Sequence, residues 1–225
     1  MQIETPRSWG PGTFTMALPL VEALKIRPGM RILEVGGGSG QIAVTLAKRW
    51  ECHVVTLEPW TDGAEIRDYA QRQGVGQQVL PLCLEAQSLP FASESFDAVL
   101  SIGSFEMIGD DRPKALAEMV RVARVGAHIG IAEAMSRMDE IPADLAELDE
   151  KHNLQFQHCF RSLAWSRNLF SSSGLRVTEA KYFDESREWW LAYRRTHPIS
   201  DGEKELILRD DDRWIALGML VGQKS

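Results

Sequence analysis

Apolar residues in this chain fall into short unbroken runs, separated by stretches in which they recur every three or four positions. The runs "RILEV", "HVVTLE", "QVLPLCL", "FDAVLSIG" and "AHIGIAEA" do not alternate with polar residues. That is the pattern of strands covered on both faces. Between them, "QIAVTLAKRW", "DGAEIRDYAQRQG" and "RPKALAEMVRVAR" keep a helical period. Gly74 ends the second of these helices, and Pro113 sits near the start of the third, where a missing N–H is harmless. Strand and helix alternate strictly, which predicts an α/β fold with a doubly wound parallel sheet. Ahead of the first strand, "MALPLVEALKI" reads as a short amphipathic helix, with Pro19 as its first-turn proline and "RPGM" as its stop.

The rhythm changes after Ala134. "DLAELDEKHNLQFQHCF" reads as one helix and "RSLAWSRNLFSSSG" as another. "LRVTEAKYF" and "WIALGMLVGQK" read as a sixth and a seventh strand, with an irregular aromatic segment between them. No linker or repeat interrupts the chain. Residues 1–225 therefore read as one domain, with cap elements from about 1–20, 135–160 and 184–212.

Composition narrows the classes. The 44% apolar content is ample for a buried core. A net charge of −7 with scattered basic residues argues against a nucleic-acid partner. The three cysteines, Cys52, Cys83 and Cys159, have no zinc or disulfide spacing, so a reducing cytoplasm is the expected location. No apolar run approaches the roughly 20 residues that cross a bilayer, and no secretory layout opens the chain, so no membrane role is expected.

The candidate chemistry begins in "RILEVGGGSGQIAVTLAKRW". Gly36, Gly38 and Gly40 form a tight turn between strand and helix. A dinucleotide fold wants its last glycine one position later, where Gln41 stands, and the Gly-Lys-Ser/Thr ending of a phosphate loop is missing. Glu34, inside the first strand, suits a cation such as an amino group. Glu58 ends the second strand at the offset where an acid pairs with ribose hydroxyls. Glu85 follows the third strand and can accept from an exocyclic amine, while Ala86 leaves room for a ring. The combination describes an adenosine joined to a charged amino-acid end without phosphates, which is S-adenosylmethionine.

These motifs resemble those of the class I S-adenosylmethionine-dependent methyltransferases. "ILEVGGGSG" looks like the family's first motif, "VVTLE" like its acidic-ended second strand, and "EAQSLPFASESFDAVLSIGSFEMI" like its adenine loop and fourth strand. The family's adenine loop usually carries Asp where Glu85 stands here, and within the family the chain is similar to the ubiquinone/menaquinone-biosynthesis-like group. The resemblance implies a seven-stranded Rossmann-like sheet in the order 3-2-1-4-5-7-6, with the last strand antiparallel. It also implies cofactor contacts from Trp9, Thr13, Glu34, Gly36, Gly37, Gly38, Glu58, Pro59, Glu85, Ala86 and Ser101. On the acceptor side, Glu106 is a candidate base or cation site and His152 a candidate base. Glu133, at the end of the fifth strand, points to the same edge. Trp189, Trp190 and Tyr193 either stack on a flat acceptor or form the core of the cap. The expected partner is a small-molecule methyl acceptor, with the protein a monomer or homodimer. Two alternatives stay open: a nicotinamide-dependent oxidoreductase, and a non-catalytic S-adenosylmethionine-binding protein.

Overall fold

The computed structural model describes residues 10–225. Trp9, expected to contact the cofactor, lies outside the described residues. The chain opens with α1 (Thr13–Ala23), followed by β1 (Arg31–Val35), α2 (Gln41–Trp50), β2 (His53–Leu57), α3 (Ala64–Arg72), β3 (Val79–Leu82) and β4 (Phe96–Ile102). A short 3₁₀ segment (Phe105–Asp111) leads into α4 (Arg112–Val122) and β5 (Ala123–Ser136). The cap and the second half of the sheet comprise α5 (Ala143–His152), α6 (Phe156–Cys159), α7 (Leu163–Ser172), β6 (Leu175–Tyr182), α8 (Ser186–Thr196), α9 (Asp201–Asp210) and β7 (Ile215–Lys224).

The strands form one sheet in the order β3-β2-β1-β4-β5-β7-β6. The pairs from β3 to β5 are parallel, and β7 runs antiparallel between β5 and β6. This is the topology the resemblance implies. Both sheet faces are covered, which explains the unbroken apolar runs. On one face Met16, Leu20, Ile32 and Leu46 join Trp190 and Trp214 of the cap. On the other, Phe96, Leu116, Met119 and Phe170 pack beneath α4 and α7. Each such side chain contributes roughly 1.5–3 kcal/mol on burial. Among the described residues, no helix is long and apolar enough to cross a membrane.

Four sequence expectations are corrected. Pro19 lies inside α1, because Gly12, at φ 64°, sets the helix start earlier than the proline. The fifth strand begins at Ala123, where backbone turns extended directly after α4. The single helix expected over 144–160 breaks where Asn153 and Gln155 take positive φ. It restarts as α6, whose first N–H groups, from Phe156 and Gln157, are accepted by the Asp149 carboxylate at 2.9 and 3.2 Å. The irregular aromatic segment resolves into α8 and α9, the second capped by Ser200, whose Oγ accepts the Glu203 N–H at 3.1 Å.

Candidate active site

The carboxyl ends of β1, β2 and β4 open onto a cleft, as parallel sheets of this kind place their ligands. The glycine turn forms its floor. The N–H groups of Gly36 and Gly37 both donate to the Leu57 carbonyl, at 2.9 and 2.8 Å, and pin the turn to the end of β2. Gly36 has φ 79°, and a Cβ there would sit 2.0 Å from Ser104 Oγ. A Cβ at Gly37 would sit 2.0 Å from Thr56 Oγ1. Backbone must run bare past both hydroxyls, so the sequence spends two glycines. Gly37→Ala is expected to cost about 1–3 kcal/mol through overpacking, read as a lower thermal midpoint with weakened cofactor binding. An unchanged midpoint would mean that Thr56 moves aside freely.

Glu34 reaches the cleft from inside β1. Its Oε2 accepts the Thr56 hydroxyl at 2.6 Å. Burial pushes its carboxyl up to about 8, with the Thr56 bond pulling down and nearby Glu58 pushing up further. Gln41, at the start of α2, lines the same wall and carries a buried Oε1 with no partner. A carboxyl that an incoming cation would ionise and an unpartnered amide oxygen in one corner fit a ligand ammonium.

Glu58 faces them from the end of β2. Its carboxylate accepts N–H groups from Gly38 at 2.8 Å and from Trp60 at 3.2 Å. It therefore holds the glycine turn in shape while lining the cleft. Beyond it the cleft continues past Pro59, Glu85 and Ala86, with Met107 and Ile108 opposite. This end is apolar and slot-like, with a carboxylate at its rim, as an adenine requires. Thr13 and Phe14, in the first turn of α1, close the other side. Among the described residues, the cleft lining holds no cluster of basic side chains.

The structure thus brings together Thr13, Glu34, Gly36, Gly37, Gly38, Glu58, Pro59, Glu85 and Ala86. Ser101 is corrected. It is buried behind the turn, where its Oγ donates to the Val35 carbonyl at 2.8 Å, and Ser104 is the serine that lines the cleft. His152 is also corrected. It is exposed on the last turn of α5, packs over Gly202 of α9 and is not among the residues that line the cleft. Glu106 follows β4 as expected but is buried beside Glu133 and Arg112. Trp190 joins Phe156 and Phe160 inside the cap, and Trp189 packs on Phe183. These aromatics are core. Sequence reasoning missed Gln41, Trp60 and Ser104 as cleft residues. The signals were present: a polar residue at a helix start, a tryptophan two residues after Glu58, and a serine following a glycine at a strand end.

Comparison with known proteins gives the same picture. Residues 33–131 match the family model "Methyltransferase domain". The chain is 30% identical over 135 residues to "Methyltransferase GfsG" of Streptomyces halstedii, covering 59% of this chain and 48% of that one. It is 36% identical over 115 residues to the ubiquinone/menaquinone biosynthesis C-methyltransferase UbiE of Bordetella avium, covering 48% of this chain and 42% of that one. The chain thus spans about half the length, or less, of these curated relatives. Its fold is shared with a solved geranyl diphosphate methyltransferase in complex with SAM, at TM-score 0.80 and 18% identity over 94% of this chain and 85% of that one.

Proposed function

We propose that this chain, whose residues 33–131 match the methyltransferase domain family, is a class I S-adenosylmethionine-dependent methyltransferase that transfers a methyl group to a small-molecule acceptor. The observation that carries the reading is the division of the cleft. Glu34 and the unpartnered Gln41 oxygen form a cation corner at one end, and Glu58, Glu85 and Ala86 an adenosine slot at the other. The short third glycine offset, with Gln41 where a dinucleotide fold has glycine, and the buried Glu34 beside the turn weigh against the nicotinamide alternative.

Each residue has a distinct task. Glu34 and Gln41 accept from the ligand ammonium. Glu58 accepts from the ribose hydroxyls, and Glu85 from the adenine amine above the Ala86 gap. Pro59 walls the adenine slot. Thr13 and Phe14 exclude water from the reacting end, where a loss of charge on sulfur is favoured by a dry site. Bound S-adenosylmethionine supplies an electrophilic methyl group, and the chain's part is orientation and desolvation. Glu106, on the segment that follows β4 and the cleft residue Ser104, is the candidate base for the acceptor. A net charge of −7 favours a compact organic acceptor over a polyanion.

Calorimetric titration with S-adenosylmethionine, S-adenosylhomocysteine and NAD tests this. We expect micromolar binding of the two adenosyl ligands and none of NAD. Binding of NAD alone would overturn the reading in favour of an oxidoreductase. A non-catalytic binding protein would bind both adenosyl ligands yet show no product across a broad acceptor screen.

A further inference from the structure

Beside the cleft, at the carboxyl ends of β4 and β5, two glutamates and an arginine are buried together. Ile102, the last residue of β4, pairs with Ala132 in the sheet, so Glu133, the next residue within β5, lies level with the start of the segment that leaves β4 and carries Glu106. Glu106 and Glu133 act on each other there. Glu106, Glu133 and Arg112 are 6%, 2% and 1% exposed. Each keeps one polar atom without a protein partner: Glu106 Oε2, Glu133 Oε2 and Arg112 Nη2. The remaining Arg112 groups are committed. Nε donates to the Gly109 carbonyl at 2.7 Å and Nη1 to the Cys159 carbonyl at 2.9 Å, with the guanidinium 4.9 Å from the centre of the Trp165 ring. α6 roofs the cluster, bringing Cys159 and placing His158 against Gly109.

Charge decides how such a group can exist. The two glutamates act directly on each other and share Arg112 as their counter-charge. The other charges nearby are spent elsewhere: Arg161 pairs with Asp110, and the Asp149 carboxylate caps α6. Two ionised carboxylates at about 4 Å repel by on the order of 4 kcal/mol at an effective dielectric of about 20. One proton between them leaves a carboxylic acid, a carboxylate and a guanidinium, which sum to zero. Burial raises both carboxyls above their ordinary range, Glu133 the further, while Arg112 pulls both back.

We propose that Glu106 and Glu133 hold a single proton between them and form the proton-accepting unit of the acceptor site, selecting an acceptor that carries an O–H or N–H group. The proposal rests on the methyltransferase reading and adds the substrate class. As the acceptor atom bonds to the methyl carbon, the C–S bonding pair stays with sulfur, and the acceptor's proton passes to the ionised carboxylate. The pair then holds two protons and returns one to solvent. Glu106, on the segment that follows the cleft residue Ser104, is the group to meet the acceptor. Glu133 is a positioning residue that sets the ionisation of Glu106.

Full-length protein labelled with ¹³C at the glutamate carboxyls, titrated by NMR with S-adenosylhomocysteine present, tests the shared proton. The wild type is expected to lose the pair's protons in two separate steps, with one proton retained at pH 7. In Glu133→Gln only the lower step remains, and in Glu133→Leu, which removes the hydrogen bond that lowers Glu106, that step moves to higher pH by about tenfold or more in proton affinity; Glu133→Asp restores two steps. Two ionised carboxylates at pH 7, a second step surviving in Glu133→Gln, or a Glu106 step unmoved in Glu133→Leu, overturn the proposal. Glu106→Gln, which reads the Glu133 step alone, serves if Glu133→Gln does not fold. Phenol, aniline and toluene then probe the acceptor class. Phenol and aniline should shift the Glu106 resonance while toluene does not; the same response to all three, or to none, removes the acceptor assignment. Failure of S-adenosylhomocysteine to bind the wild type would count against the methyltransferase reading instead, and the same titration of the ligand-free protein would still read the pair.

Discussion

Glu34→Gln is expected to make the ligand-free protein more stable at pH 8 and a poorer binder of S-adenosylmethionine. The burial that lifts the Glu34 carboxyl to about 8 is the cause of both effects. A carboxyl raised in the folded state stabilises fully below its unfolded value, near 4.5, and that contribution is lost as pH climbs through about 8. The isosteric amide keeps an acceptor for Thr56 and has no charge to desolvate. The stability difference between variant and wild type should therefore widen from pH 4.5 to pH 8. It should reach on the order of a few kcal/mol, at 1.36 kcal/mol per pKa unit. Binding moves the other way. A ligand ammonium favours the ionised carboxylate, so wild-type binding at pH 7 should release close to one proton, visible as buffer-dependent heat in calorimetry. Glu34→Gln should release none and bind about 10- to 100-fold more weakly, the loss expected for a charged hydrogen bond. Equal proton release in both proteins would remove Glu34 from the cation corner.

Glu58→Ala is expected to weaken both adenosyl ligands by about 100-fold, from two lost charge-assisted bonds at roughly 1.5 kcal/mol each. Part of that loss has an internal origin. The substitution also frees the N–H groups of Gly38 and Trp60, so the turn loses its brace. Glu58→Gln separates the two contributions, because the amide oxygen can still accept one N–H while the charge is gone. Its affinity should fall between wild type and Glu58→Ala. Unchanged affinity in Glu58→Ala would overturn the ribose assignment.

The cofactor half of the cleft was legible in the sequence because its residues sit at strand ends, where a local pattern fixes the geometry. Glu34, Gly36, Glu58 and Ala86 each follow or end an apolar run, and the sheet order then brings those ends together. The acceptor half was not legible in the same way. Helical period placed His152 in the cap, but the packing of α5 on α9, which sets it against Gly202, is a tertiary contact that period does not reveal. Ser101 lay one pleat too deep, and the left-handed Gly103 hands the contact on to Ser104. Glu106 and Glu133 were each read as strand-end acids. Their partnership depends on the register between β4 and β5 and on Arg112 entering from α4, neither of which one sequence displays.

The seat of Trp189 on Gly12 has a mechanical meaning. A Cβ at Gly12 would lie 2.8 Å from the indole, so α8 rests directly on the chain that begins α1. The next two residues, Thr13 and Phe14, form a wall of the cofactor cleft. The indole acts as a pawl between two compartments: a shift of α8 on either side of the contact is felt on the other. A displacement of α8 is therefore passed directly to the wall that Thr13 and Phe14 form.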